Sequence, residues 1–314
     1  MTQQDKHIPV LLAEVLSYIE PQANKNYIDA TLGGGGYTEA LLKKNAPLGK
    51  VMCFDLDSDA ILLAQKRLSL WQDRVIYIND NFSTIKSKID EYKFDKIGGI
   101  VCDLGYSFLQ IKDRSRGFSF ESQGELDLRY NKQTSLTGHE IVNTWQENDI
   151  ARILKDYGEE PLARKIAKLI VSERKKTKIT SQILRELIIK AYRQRWSTPS
   201  RINPATRTWQ ALRIAVNDEF YHLKIFLQQA IAVLPKTSRL AIVSFHSLED
   251  KIIKDYFKQE AKDCICPKEL SKCICQHRAQ IKIITKKPII PTAQEIQRNP
   301  RSRSAKLRVI EKIN

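Results

Sequence analysis

The chain has 314 residues, of which 42% are apolar and 28% charged, a balance typical of a globular domain rather than a disordered chain. Its 52 Lys and Arg against 36 Asp and Glu give a formal net charge of +16, which indicates a polyanionic partner, either nucleic acid or an anionic membrane surface. No apolar run could span a bilayer, no signal-sequence core is present, and six cysteines do not form a dense disulfide framework, so we expect a soluble cytoplasmic protein.

The pattern of apolar residues alternates between helix and strand. A helix at 12–19, ended by Pro21, precedes a strand at 27–31, the glycines Gly33–Gly36 and a helix at 37–44. Later segments predict strands at 51–54, 75–78, 99–102 and 240–243, and helices at 61–68 and 219–234. Continuous apolar strands that alternate with helices predict an α/β protein with a parallel sheet covered on both faces.

One connection is far too long for a crossover. Roughly 135 residues separate the strand that ends at Asp103 from the strand that starts near Leu240. Helical patterns at 141–154, 162–175 and 181–193 fill this stretch, and no convincing strand pattern occurs there. We therefore predict a sheet domain made of residues 1–112 and 208–314, interrupted by a mostly helical domain at 113–207.

The glycine-rich turn indicates a nucleotide-like ligand, because glycine lets the backbone approach such a ligand closely. Thr38 stands where a dinucleotide fingerprint that starts with this turn would need glycine. Asp55 ends the second strand, where a carboxylate can accept both ribose hydroxyls, and Phe82 follows the third strand, where a side chain can lie against an adenine face. These features favour S-adenosylmethionine; the alternative is a merely flexible turn.

Two further candidates follow strands. In an open α/β sheet the ligand binds beyond the carboxyl ends of the strands, so Asp103 is expected to face the reacting end of the cofactor and is a candidate catalytic residue. Its alternative role is that of a structural buried carboxylate. His246 follows the fifth strand and is a weaker catalytic candidate that could orient substrate or release a proton. It could equally be a structural histidine that holds Glu249 or Asp250.

Eight motifs, in order along nearly the whole chain, carry a family resemblance. They are His7–Leu12, Asp29–Gly36, Asp103–Gly105, Arg116–Phe120, Tyr157–Glu160, Asn203–Arg213, Ser244–Asp250 and Asn299–Ser304. Through them the chain resembles the MraW family of ribosomal RNA small subunit methyltransferases. The resemblance implies a class I (Rossmann-like) methyltransferase sheet with an inserted helical domain. It also implies S-adenosylmethionine-dependent methylation of the N(4) amine of a cytidine in 16S ribosomal RNA, with the small ribosomal subunit as partner and no membrane.

The resemblance also implies a set of site residues. Cofactor contacts are expected at Gly35, Gly36, Tyr37, Asp55, Phe82, Asp103 and Gln110, and no metal ligand is assigned. Tyr37 replaces the usual histidine, so a backbone contact is expected there. Tyr106 and Phe108 depart from the family pattern and place two aromatic residues beside the cofactor, where Tyr106 could stack on a flipped base. Asp103, or a backbone carbonyl of Leu104 or Gly105, is expected to accept a hydrogen bond from the target amine.

Three other segments have two interpretations each. Asn203–Arg213 favours RNA contact, with packing as the alternative. A basic cluster suits phosphate contacts, or is a solvated terminal strand or tail; it contains Arg298, Arg301, Arg303, Lys306, Arg308 and Lys312. Two C-x-C pairs, Cys264/Cys266 and Cys273/Cys275, are spaced more tightly than usual zinc ligands, so we expect free thiols, with a structural metal as the alternative.

Two rival functions remain at this point. The first is an amino-methyltransferase that acts on DNA or on another RNA, which the residues near Tyr106 make conceivable. The second is a non-catalytic RNA-binding or assembly protein. A protein that only binds RNA has no need to keep the glycine turn, Asp55 and Asp103 together, so the sequence favours an enzyme. The sequence leaves the modified nucleotide, the need for an assembled subunit and the oligomeric state open.

Overall fold

A computed structural model describes residues 9–107, 110–111, 113–119, 125–195, 203–267, 270 and 272–314. The chain divides into two compact units, one formed by residues 1–105 with 221–314 and the other by residues 106–220. Of the residues named above, His7, Phe108 and Phe120 lie outside the described residues. So do residues 196–202, which directly precede the Asn203–Arg213 motif. No helix in the described part of the chain is both long enough and apolar enough to cross a membrane.

The first unit contains a seven-stranded sheet with the order β3-β2-β1-β4-β5-β7-β6. Its strands are β1 (Asn26–Asp29), β2 (Val51–Phe54), β3 (Val75–Ile78), β4 (Ile97–Asp103), β5 (Arg239–Ser244), β6 (Ile281–Ile283) and β7 (Lys306–Lys312). Strands β1 to β5 are parallel, whereas β7 runs antiparallel between β5 and β6. The predicted α/β, Rossmann-like sheet is confirmed. Because the parallel strands share a direction, their carboxyl ends meet at one edge.

Twelve α-helices occur in the described residues. They are α1 (Leu12–Ile19), α2 (Gly36–Lys44), α3 (Ser58–Arg67), α4 (Ile85–Tyr92), α5 (Gly138–Thr144), α6 (Glu147–Gly158), α7 (Ala163–Glu173), α8 (Ser181–Arg193), α9 (Ala205–Asn217), α10 (Glu219–Val233), α11 (Ser247–Glu260) and α12 (Ala293–Arg298). Alternate residues of β2 enter two different apolar clusters, Met52 and Phe54 one of them and Val51 and Cys53 the other. This period of two shows that both faces of the sheet are buried.

The second unit contains helices α5 to α9 and the first residues of α10, and no strand occurs among its described residues. The predicted helix at 141–154 is in fact two helices, since Trp145 and Gln146 adopt extended backbone angles between α5 and α6. Thr137 starts α5 by accepting a hydrogen bond from the Glu140 N–H. A separate apolar cluster, which includes Ile150, Ile166 and Leu212, forms the interior of this unit.

The basic cluster near residue 300 is split between solvent and the sheet. Arg308 lies in β7, is 8% exposed, and donates from Nε to Asp250 Oδ1 at 2.5 Å. Lys306 pairs with the same carboxylate at 3.2 Å, and the amine of the buried Lys312 donates to Gln280. The predicted phosphate contacts of Arg308 and Lys312 are therefore wrong, because both side chains are buried and paired within the protein. The other three, Arg298, Arg301 and Arg303, are exposed.

Candidate cofactor and active site

The glycine turn after β1 needs glycine for two separate reasons. Gly33 and Gly35 have φ angles of +48° and +77°, which side-chain-bearing residues rarely adopt. A Cβ on Gly36 would lie 2.3 Å from Cγ of Pro9, so that position is closed by a neighbour. A Cβ on Gly34, in contrast, would meet no heavy atom within 4 Å. The turn therefore borders open space on the side of Gly34, where a ligand can approach the backbone.

Asp55 links the glycine turn to the end of β2. One carboxylate oxygen accepts the Gly33 N–H and the other accepts the Asp57 N–H, both at 2.8 Å. A carboxylate offers about four acceptor positions, so two remain for the hydroxyls of a ribose. The residue as a whole is half-buried. The predicted ribose acceptor thus lies directly beside the predicted ligand-binding turn.

A buried chain of polar groups joins β1 to β4. The Asp29 carboxylate accepts the hydroxyl of Thr38 at 2.7 Å and the N–H of Thr31 at 3.2 Å. The Thr31 hydroxyl in turn accepts the Asp103 N–H at 2.6 Å. These residues fix the positions of the turn and of Asp103 relative to each other. The sequence predicted no role for Asp29, Thr31 or Thr38, although a carboxylate at the end of an apolar strand is a signal of one.

Asp103 ends β4 and carries an acceptor that lacks a protein partner. Its Oδ1 atom is buried and has no hydrogen bond to any described residue. Such an atom is unfavourable in a protein interior unless a ligand donor satisfies it. Burial, together with the nearby carboxylates of Asp29 and Glu249, raises the pKa of Asp103 well above its ordinary value. The arrangement is that of an acceptor available to a bound molecule.

The carboxyl edge of the sheet is electrostatically suited to a cation. Burial raises the pKa values of Asp29 and Asp55 to about 6, and that of Asp103 rises further. A positive charge bound beside these groups would favour their ionised forms and lower all three pKa values. The sulfonium of S-adenosylmethionine is such a charge. The turn, the carboxylate acceptors and the unpartnered oxygen therefore fit this cofactor.

The remaining predicted cofactor contacts fall in different surroundings. Phe82 follows β3, is half-buried, and packs edge-on against Phe226 with ring centroids 5.0 Å apart. The buried hydroxyl of Tyr37 donates to the Val10 carbonyl, so its side chain serves packing and only its backbone faces the turn. Gln110 belongs to the second unit, where its buried side chain accepts the Ser107 N–H at 2.9 Å.

His246 caps helix α11. Its Nδ1 accepts the Glu249 N–H at 3.3 Å, and Glu249 Oε2 accepts the His246 N–H at 3.2 Å, which completes a reciprocal capping box. The ring Nε2 also lies 3.0 Å from the other oxygen of Glu249. Both ring nitrogens thus face Glu249, Nδ1 its backbone N–H and Nε2 its carboxylate. These contacts favour the structural interpretation of His246 over a part in proton release.

Tyr106 and Arg213 pack together within the second unit. The guanidinium carbon of Arg213 lies 4.9 Å from the centroid of the Tyr106 ring, and Arg213 also pairs with Glu219 at 2.8 Å. Because Arg213 is only 8% exposed and its donors are engaged, its predicted contact with RNA is wrong. The Tyr106 side chain is 43% exposed with one face beside a cation. The Tyr106 ring also lies 5.9 Å from the ring of Phe118, so two neighbours restrict where a base could stack on it.

The fold and this edge together define a methyltransferase that uses S-adenosylmethionine. The model of the MraW methylase family matches residues 4–313, and the chain belongs to this family. A relative from Clostridium botulinum (strain Kyoto / Type A2), named ribosomal RNA small subunit methyltransferase H, is 44% identical over 309 residues, which are 98% of this chain and 99% of the relative. A relative of the same name from Dehalococcoides mccartyi (strain BAV1) is 42% identical over 98% of this chain and 86% of its own length.

The chain is also similar to a solved structure. A chain from Clostridium thermocellum, described as a candidate rRNA-methylase, is 14% identical and superposes with a TM-score of 0.47 over 98% of this chain and 100% of its own.

Replacing Gly34 with Ala tests where the cofactor lies. The added methyl group meets no protein atom, so we expect the melting temperature to stay unchanged. It occupies the space beside the turn, so we expect the dissociation constant of S-adenosylmethionine to rise about tenfold, a loss of roughly 1.4 kcal/mol. Calorimetric titration measures this constant. Unchanged affinity in a folded variant would show that the cofactor does not approach the turn from this side.

Proposed function

We propose that this protein transfers a methyl group from S-adenosylmethionine to the exocyclic N(4) amine of a cytidine in 16S ribosomal RNA of the small ribosomal subunit. The names of the relatives indicate ribosomal RNA of the small subunit as the substrate. The family resemblance carried by the motifs quoted above implies the cytidine amine as the methyl acceptor. One observation carries the chemistry: a buried carboxylate oxygen of Asp103, at the carboxyl edge of the sheet, receives no hydrogen bond from any residue that the structure describes. A substrate in the small subunit would place the protein in the cytoplasm.

The amine of cytosine is a weak nucleophile because its lone pair is delocalised into the ring. When bound, the cofactor supplies an electrophilic methyl group, and the protein has to bring the amine nitrogen into line with it. An acceptor beside the amine accepts a hydrogen bond from an N–H group, which localises the lone pair on nitrogen before the proton itself leaves. Asp103 Oδ1 is the acceptor of choice, since it is buried and faces no donor among the described residues.

Asp103 must be ionised to accept that hydrogen bond. Its raised pKa favours the protonated form in the free protein, but a cation beside the carboxylate favours the charged form. After transfer the nitrogen bears an extra proton, which Asp103 can accept and release to solvent. The backbone carbonyls of Leu104 and Gly105 are alternative acceptors. Leu104 is fixed in place because its N–H donates to the Val243 carbonyl at 2.9 Å.

The net charge of +16 supports a nucleic-acid substrate. Among the terminal cations, Arg298, Arg301 and Arg303 are exposed to solvent, unlike Arg308 and Lys312 in β7. The rival substrates, another RNA or DNA, would present the same amine and are outcomes of the test below. A protein that only binds RNA would not need an unpartnered carboxylate at the cofactor edge.

Mass spectrometry of 16S ribosomal RNA tests the proposal. In cells that lack the gene, we expect one N(4)-methylated cytidine to disappear. Return of the wild-type gene should restore it, and a gene that carries Asp103→Ala should not. If the RNA is identical with and without the gene, the ribosomal substrate is excluded. In that case, transfer of labelled methyl groups to other RNA or to DNA identifies the true acceptor.

A further inference from the structure

Four cysteines converge in the segment between α11 and β6. The Sγ atoms of Cys264, Cys266, Cys273 and Cys275 all lie within 4.8 Å of one another, and none of these residues forms a disulfide. The Cys264–Cys273 separation is 3.5 Å, Cys273–Cys275 is 3.6 Å and Cys275–Cys264 is 3.8 Å. Two cysteine pairs that are separate in sequence have thus been brought into one sulfur cluster.

These separations are those of ligands around a metal ion. Sulfur atoms at about 2.3 Å from a central zinc ion, in tetrahedral geometry, are about 3.8 Å from each other. The sulfurs of a disulfide are only about 2.05 Å apart. The short C-x-C spacing made a metal site unexpected from sequence alone. It does not prevent coordination, because each pair provides only two of the four ligands of a tetrahedral site. Tetrahedral coordination by four sulfurs is characteristic of zinc and of iron.

Backbone donors around the cluster support thiolates. The Ile265 N–H, in the first C-x-C pair, donates to Cys275 Sγ at 3.4 Å. The Ile274 N–H, in the second pair, donates to Cys266 Sγ at 3.4 Å. Each pair therefore donates one N–H to a sulfur of the other pair. Such hydrogen bonds favour the charged form of a ligand and orient it towards the metal.

The described residues of the segment have little regular structure or apolar packing to hold their shape. Between α11 and β6 its described residues form no helix or strand, and its apolar side chains Ile265, Leu270 and Ile274 are exposed. The two ends of the segment meet at its base, where the Gln280 N–H donates to the Glu260 carbonyl at 2.9 Å. Beyond that base, no described residue of the segment belongs to an apolar core cluster. A metal ion can supply the free energy that a small segment without a core lacks.

We propose that Cys264, Cys266, Cys273 and Cys275 bind one Zn²⁺ ion as a structural site with four thiolate ligands. The ion cross-links the two C-x-C pairs and fixes the segment 261–280 at the end of α11. The site is separate from the methyl-transfer chemistry, and it stands or falls independently of the RNA substrate.

The metal content of the full-length protein tests this assignment. Protein purified under reducing conditions, without chelators, is expected to contain about one zinc per chain by plasma emission spectroscopy. The double variant Cys264→Ser/Cys273→Ser removes one ligand from each pair and should lose nearly all of it. The matched control Lys272→Ala changes the same segment, keeps all four thiols and should retain full zinc. Undiminished zinc in the double variant would overturn the site.

A second measurement decides the matter should the double variant fail to fold. Wild-type protein stripped by a chelator and titrated with Co²⁺ should develop the visible and thiolate charge-transfer bands of a tetrahedral cobalt thiolate, complete at about one equivalent. Stripping should also expose the segment to trypsin at Lys262, Lys272 and Arg278. Absence of both zinc and cobalt bands in reduced protein would overturn the proposal. So would iron in place of zinc, or disulfides between the pairs in freshly purified protein.

Discussion

Asp103→Ala is expected to lower kcat/KM for methyl transfer by about 10²- to 10⁴-fold, the range for loss of a positioned acid–base or charge-stabilising group. The variant removes the only carboxylate oxygen at this edge that is buried and unpartnered among the described residues. Removal of an uncompensated acceptor relieves an unfavourable burial, so we expect the protein to fold at least as stably as the wild type. Single-turnover transfer of labelled methyl groups to RNA measures the effect.

Two further variants separate chemistry from structure. Asp103→Asn keeps an acceptor oxygen but cannot take up a proton, so an intermediate rate would show that both properties matter. Asp95→Asn changes an exposed carboxylate at the opposite end of the same strand and should leave the rate unchanged. Turnover near the wild-type level in folded Asp103→Ala would refute the assignment of Asp103. The backbone carbonyls of Leu104 and Gly105 would then be the remaining acceptors.

Arg308→Met should destabilise the protein by an amount near the lower end of about 3–5 kcal/mol, the range for breaking a buried ion pair. Two guanidinium nitrogens contact the Asp250 carboxylate at 2.5 and 3.1 Å, and both residues are nearly buried. The remaining Lys306, at 3.2 Å, limits the loss. Urea unfolding at pH 7 measures the difference. Arg303→Met, an exposed cation next to the same strand, is the matched control and should shift stability by less than about 0.5 kcal/mol.

The loss in Arg308→Met should depend on pH with a defined sign. Burial opposes ionisation of Asp250, but the hydrogen bonds and charge of Arg308 prevail, so its pKa is lowered below the ordinary value. A carboxyl with a lowered pKa contributes stability above its unfolded pKa of about 3.9, and this contribution disappears as pH falls through the folded pKa. The difference in the free energy of unfolding between wild type and variant should therefore become smaller below about pH 4. A constant gap from pH 7 to pH 3 would show that the loss comes from packing alone.

The sheet was predictable because its strands are continuous apolar runs. Val51–Phe54 and Val75–Ile78 were located to the residue, since strands buried on both faces contain few residues of any other kind. Helices α4 and α11 were missed, as each mixes charged residues with only a narrow apolar stripe. Strand β7 was missed for a different reason. Its lysines and arginines suggested phosphate contacts, with a solvated terminal strand or tail as the alternative, and pairing with a distant carboxylate cannot be seen in local sequence.

The site was predictable only where function requires a particular residue at a strand end. Asp55 and Asp103 follow directly from the rule that ligands bind at the carboxyl ends of parallel strands. Their supporting residues, Thr31 and Thr38, could not be assigned because their hydroxyl partners depend on how neighbouring strands align. The capping role of His246 and the ion pair of Arg213 likewise depend on geometry that spacing does not reveal.

The contact between Tyr106 and Arg213 also bears on how the chain folds. The two residues are near opposite ends of the helical unit, so the folded unit keeps its entry and exit points close together. Strands β4 and β5, which pair side by side, are otherwise joined by a very long loop. If the helices assemble first, that loop is shortened before the strands meet. The free-energy cost of closing the loop falls by about 2 kcal/mol. The inserted helical unit would therefore speed the pairing of β4 with β5.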